Sequence, residues 1–168
     1  MKKLIVFLFI IILITTGLFI VDRQTERGLI GTLEYTLLPD PMATNFYDAG
    51  ECTFYVFNKV KANGEMIETS WRNAEFWAAR AKTDGYTVND EPAEGAILQT
   101  SRGEIGHVAY IETVNEDGSI DISEMNYREP YEVTERTITA DRIDEYAYIH
   151  PKVNPRPKEM KAQTQNSA

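Results

Sequence analysis

The sequence predicts an α+β domain, with N-terminal helices packed on an antiparallel β-sheet and a single hydrophobic helix ahead of them. Three observations lead to that class. Apolar residues recur at helical spacing in the first half of the folded unit, short alternating runs take over after Pro92, and Asp117-Gly118 sits between two of those runs as a hairpin signal. Helices first and strands afterwards is the order of an α+β domain.

The helices are located by their ends. From Asp48 to Asn63 an acid stands where it can cap the start, Tyr55, Val56 and Val60 follow helical spacing, and Gly64 provides a stop, which puts Cys52 in the first turn. A second helix starts from Asn73 as N-cap, carries Ala74, Trp77, Ala78 and Ala81 on one face, and ends before Gly85. Its aromatic pair, Phe76 and Trp77, reads as core. The strands expected next are Ala96 to Thr100, His107 to Thr113, Ser119 to Met125, Val133 to Ile138 and Tyr146 to His150.

Ahead of the domain, residues 1–21 form a basic start followed by an apolar run, a length between a signal-peptide core and a short membrane span. The run lacks a small-residue cleavage motif, so an uncleaved anchor is expected, with a cleaved signal as the alternative. Either way Lys2 and Lys3 stay in the cytoplasm and the remainder is placed outside, at the membrane or secreted. Residues 22–47 contain Gly28, Gly31, Pro39 and Pro41 and read as a linker, 48–152 as the folded unit, and 153–168 as a disordered polar tail.

Composition limits the partners. With 43% hydrophobic and 26% charged residues the chain is an ordinary globular protein, and its length leaves room for one domain. The formal net charge is -9, and without Lys2 and Lys3 the rest carries 15 basic against 26 acidic side chains, or -11. Such a surface repels phosphate backbones, so nucleic acid is not an expected partner. The single cysteine and two histidines are too scattered for a zinc site, and no cofactor is implied.

The chemistry rests on few residues. Cys52 is the only cysteine of a chain expected outside the cytoplasm, so it has no internal disulfide to form, and it reads either as a small buried hydrophobe or as a working thiol. A two- or four-residue hairpin loop centred on Asp117-Gly118 places His107, Ala109 and Ile111 on one face with Ile120, Ile122, Glu124 and Asn126. A three-residue loop would reverse that parity. Placing an imidazole near a carboxylate on an apolar face meets the cost of burying both, which gives the pair a structural reading as well as a catalytic one. With Cys52 added, the set has the chemistry of a thiolate nucleophile, an imidazole base and an orienting carboxylate. Helix-start N–H groups and the helix dipole favour the thiolate. Glu51, next to Cys52, opposes it by like charge and is expected to point to solvent.

The segments AGECTFYVFNKV, WRNAEFWAARAKTDGYTV, PAEGAILQTSRGEIGHVAYIETVNEDGSIDISEMNY and YAYIHPK resemble, in order and spacing, the CHAP domain (cysteine, histidine-dependent amidohydrolase/peptidase). The resemblance spans about Asp48 to Lys152. It implies a papain-like fold and hydrolysis of an amide bond in peptidoglycan, either N-acetylmuramoyl-L-alanine or a bond of the stem or cross-bridge. By position it implies Cys52 as nucleophile, His107 as base, Glu124 as the orienting acid and Asn126 as the accompanying polar residue. Some members carry glutamine where this chain has Glu51, whose ionised carboxylate has no N–H to offer an oxyanion. His150 reads as structural. Bound calcium occurs in some relatives, but no ordered ligand loop is evident here. Peptidoglycan is the implied partner, with secretion, conjugation or phage-related machinery as possible associates. The alternatives are a membrane-tethered module without turnover and a papain-like peptidase on protein substrates.

Overall fold

In the computed structural model, residues 40–155 are described. The hydrophobic segment 1–21, most of the linker and most of the tail expected above lie outside them. Among the described residues no helix is long and apolar enough to cross a membrane.

The elements follow the expected order. Helix α1 spans Cys52–Ala62, and a 3-10 turn at Ala74–Phe76 leads into α2 at Trp77–Thr83. The main strands are β3 (Ile97–Thr100), β4 (His107–Val114), β5 (Ile120–Met125), β6 (Val133–Ile138) and β7 (Ala147–His150). Three short strands escaped the sequence reading: β1 (Glu65–Met66), β2 (Thr87–Asn89) and β8 (Lys152–Val153). Runs of two or three residues carry no period. Their pairing comes from tertiary contacts, with β2 on β7 and β1 on β8.

The six-stranded sheet has the order β2-β7-β3-β4-β5-β6, and every pairing in it is antiparallel. Alternation along β3 and β4 divides the core in two. Ile97, Val108 and Tyr110 face the helices, joining Val56, Phe57 and Trp77, whereas Leu98, Ala109, Ile111, Ile120 and Ile138 form a second cluster on the opposite face. A 3-10 segment, Ala140–Glu145, contributes Ile143 to that second cluster.

Helix α1 begins at Cys52 rather than near Asp48. Asp48 closes a turn through its carbonyl, which accepts the Glu51 N–H at 3.2 Å, and Glu51 is the extended N-cap, with φ -95° and no side-chain cap. Asn63 ends the helix and Gly64 follows at φ 73°, a left-handed conformation glycine adopts without a Cβ penalty.

The folded unit is longer than 48–152 at both ends. Met42 is completely buried in the helix-side core, and the Asp40 carboxylate accepts both the Met42 N–H and the Asn154 side-chain amide, each at 2.9 Å. Residues 40–47 therefore belong to the domain and not to a linker. Pro41 and the turns around it mask a packed segment, because one methionine gives no periodic signal.

Candidate active site

Two core elements bring the site together. Cys52, 4% exposed, occupies the first turn of α1, where the buried Val56, Phe57 and Val60 hold the helix against the sheet. His107 is the first residue of β4, so its ring stands at the end of the sheet rather than within it. The residue before it is Gly106, at φ 71°. A Cβ there would come within 2.7 Å of the Glu75 Cα, against the 3-10 turn whose Glu75 N–H donates to the Ile105 carbonyl. Gly106→Ala is expected to destabilise the domain by roughly 1–3 kcal/mol and to displace His107. Thermal melting and turnover measured together check this, and an unchanged melting temperature with full activity would contradict it.

His107 is held by one carboxylate. Its Nε2 lies 2.9 Å from Glu124 Oε2, and the Cys52 side chain is close enough to the ring to act on its protonation. Burial by itself lowers the affinity of the ring for a proton. The hydrogen bonds and charges of Cys52 and Glu124 outweigh burial and raise its pKa to about 9. An imidazolium is thus the form present at neutral pH.

Glu124 is fully buried, and burial pushes its pKa upward. The bonds from His107 and Arg136 prevail, so the carboxyl is held below its usual range. Arg136 supplies a fork, Nε to Oε1 at 2.6 Å and Nη2 to Oε2 at 3.2 Å. Its guanidinium also lies 4.3 Å from the centre of the Tyr127 ring, which meets the His107 ring edge-on at 5.8 Å.

Neither Arg136 nor Tyr127 was singled out in the sequence. A signal existed for Arg136: it lies opposite Ile122 and two positions before the buried Ile138, on the face that carries Glu124. A carboxylate in an apolar face calls for a cation there.

Asn126 has a different neighbour from the one anticipated. Its Nδ2 donates to Glu51 Oε2 at 2.7 Å, and its own backbone is left-handed at φ 58°. Glu51 is therefore held against the β5–β6 connection and does not point freely to solvent. His150 bonds Asn89 at 2.8 Å.

The parity of the hairpin holds for a reason the sequence did not reveal. Val114 faces Ile120, and the Asn115 N–H donates to the Ser119 carbonyl at 2.8 Å, which leaves residues 116–118 as a three-residue loop. That loop alone reverses the parity. A β-bulge between Ile111 and Thr113 inserts Glu112 and reverses it again, so Ile111 faces Ile122 and His107 returns to the face of Glu124.

A cleft of about 360 Å³ opens on the Cys52 side, with Phe46, Tyr47, Glu51, Arg72 and Ile105 among its walls. Among the described residues no group of three or more His, Cys, Asp or Glu side chains is arranged to hold a metal ion.

The family model for the CHAP domain matches residues 42–126, half of the chain. The chain belongs to the CHAP family. The CHAP match starts at Met42, in agreement with the packed segment that precedes α1. A probable autolysin, SsaALP of Staphylococcus aureus, is 51% identical over 107 residues, which make up 63% of this chain and 40% of the relative. Staphylococcal secretory antigen SsaA of Staphylococcus epidermidis is 54% identical over 107 residues, with the same coverage of 63% and 40%. The chain therefore spans about 40% of the length of the curated relatives it matches. A crystal structure of N-acetylmuramoyl-L-alanine amidase from Staphylococcus aureus is similar at a TM-score of 0.60 and 35% identity, over 64% of this chain and 34% of that one.

Proposed function

We propose that this CHAP domain hydrolyses an amide bond of peptidoglycan with Cys52 as nucleophile, His107 as general base and acid, and Glu124 as the group that orients His107. The observation that carries the reading is the His107 ring bonded to a fully buried carboxylate, with Cys52 beside it in the first turn of α1. A purely structural histidine needs no thiol at a helix start. Similarity to an autolysin and to an N-acetylmuramoyl-L-alanine amidase supports peptidoglycan as the substrate class.

The reaction begins from the imidazolium, which favours a thiolate beside it. Sγ attacks the acyl carbon, and the oxyanion meets the Cys52 N–H, an amide that a helix start leaves without an intrahelical acceptor. The C–N bond breaks as the imidazolium gives its proton to the leaving nitrogen, and a thioester remains. Neutral His107 then takes a proton from water, whose oxygen displaces the sulfur and releases the acid. Glu124, pinned by Arg136, fixes the ring orientation and stabilises its charged form. Glu51 has no proton to donate when ionised, and Asn126 engages it, so oxyanion stabilisation falls to the backbone.

The residues that imply export, 1–21, and the secretory names of the relatives support an extracytoplasmic location, either tethered at the membrane or released after cleavage. The test of function is digestion of purified peptidoglycan with mass spectrometry of the new termini. Amino termini at L-alanine identify an amidase, and glycine or D-amino-acid termini an endopeptidase. Release of no fragment by the intact chain, or cleavage of protein substrates alone, would overturn the reading.

A further inference from the structure

His107 also lines a second cavity, of about 330 Å³, which shares no lining residue with the Cys52 cleft. Its charged lining is Arg102, Arg136, Arg142 and His107, with Tyr127 and Tyr146 beside them and no acidic residue. The carboxylates that answer these groups are not among the lining residues. Glu124 takes Arg136 and His107, while Glu145 alone serves Arg102 Nη1 at 2.7 Å and Arg142 Nη2 at 3.0 Å. The cavity thus lines up three arginines and a histidine with no acidic side chain among them, in a chain whose net charge is -9. Concentrating positive charge against the overall balance, at the rim of a reaction centre, favours an anionic ligand.

We propose that this cavity is an anion subsite that binds a carboxylate on the leaving-amine portion of the substrate. The inference rests on the hydrolase reading above. It follows from the direction of an amide bond: the acyl carbon must sit at Cys52, and the leaving nitrogen at His107, which protonates it. The acyl portion then occupies the Cys52 cleft, and the amine portion runs past His107. For a peptide that portion is the one ending in a carboxylate. Arg102 and Arg142 share one carboxylate and keep N–H donors for a second, in the fork geometry that suits it.

The test measures binding by the full chain carrying Cys52→Ala, so that no turnover intervenes. The probes are an N-acetylmuramoyl peptide with a free C-terminal carboxylate, the same peptide as its carboxamide, and inorganic phosphate. The carboxylate form is expected to bind about tenfold more tightly than the carboxamide. Adding Arg102→Gln and Arg142→Gln is expected to remove that difference and leave carboxamide binding unchanged. Both side chains are partly exposed, at 65% and 45%, so the fold does not hang on them. Equal affinity for the two peptides, failure of both to bind, or a preference that survives the double substitution would overturn the subsite. So would phosphate competing more strongly than the carboxylate peptide, which would reassign the cavity to free phosphate. The hydrolase reading is judged separately, on fragments released by the chain with Cys52 intact: digestion without carboxylate preference keeps the enzyme and removes the subsite.

Discussion

Cys52→Ala is expected to lower peptidoglycan hydrolysis by about four orders of magnitude while the domain stays folded. The two halves of that expectation have separate causes. Without sulfur no thioester forms, and the cleft with its backbone N–H retains only binding and polarisation. The stability change is small because alanine keeps the Cβ, suits a helix interior, and removes a single heavy atom from a residue that is 4% exposed. Fragment release and thermal melting measured on the same preparation check both. Hydrolysis at the parent rate would end the mechanism, whereas loss of the melting transition would turn Cys52 into a packing residue.

Glu124→Gln is expected to affect stability and pH dependence together. Glutamine preserves shape but removes the charge that answers His107 and Arg136, and breaking a buried pair from one side costs about 3–5 kcal/mol. The lower end applies, near ~3 kcal/mol, since Arg136 keeps 26% of its side-chain surface in water. The pH signs follow from the direction of each shift. His107 is raised from 6.5 to about 9, so its contribution is complete below pH 6.5 and is lost as pH rises through 9. Glu124 is held below its usual 4.5, so its contribution is complete above that pH and fades as pH falls through the lower native value. The parent should therefore be most stable between about pH 4.5 and 6.5, with the alkaline limb of kcat/KM near 9. Glu124→Gln should flatten both slopes of stability and move the alkaline limb toward neutral pH. Melting curves and pH-rate profiles of the two proteins decide it. A variant with the parent's stability and an unmoved limb would show that Glu124 does not hold the imidazolium.

Much of the fold was legible because its long elements obey a period. Helix α1, the core of α2 and strand β5 carry apolar residues on a repeating face, and β3, β4 and β7 are short apolar runs, whereas β6 holds only Val133 and Ile138. The pairs and triplets at β1, β2 and β8 are too short to repeat anything, and residues 40–47 pack through one methionine and one shared carboxylate. Within the site, the common face of His107 and Glu124 was readable from alternation. The route to it was not: the loop is one residue different from the one assumed, and the bulge at Glu112 compensates. No local pattern announces a bulge in the middle of a regular strand.

Residue types alone specified a lone thiol, a histidine and a carboxylate, together with an acidic chain unsuited to nucleic acid. Alternation also set which side chains within one strand share a face, whereas the match between the two hairpin strands depended on the loop and the bulge. Partners across the fold were another matter. Arg136 on Glu124, Asn126 on Glu51, and the meeting of Arg102 with Arg142 over Glu145 join residues far apart in the chain or on separate segments. Such contacts depend on the direction in which strands and loops leave the sheet, a consequence of packing that no short stretch of sequence contains.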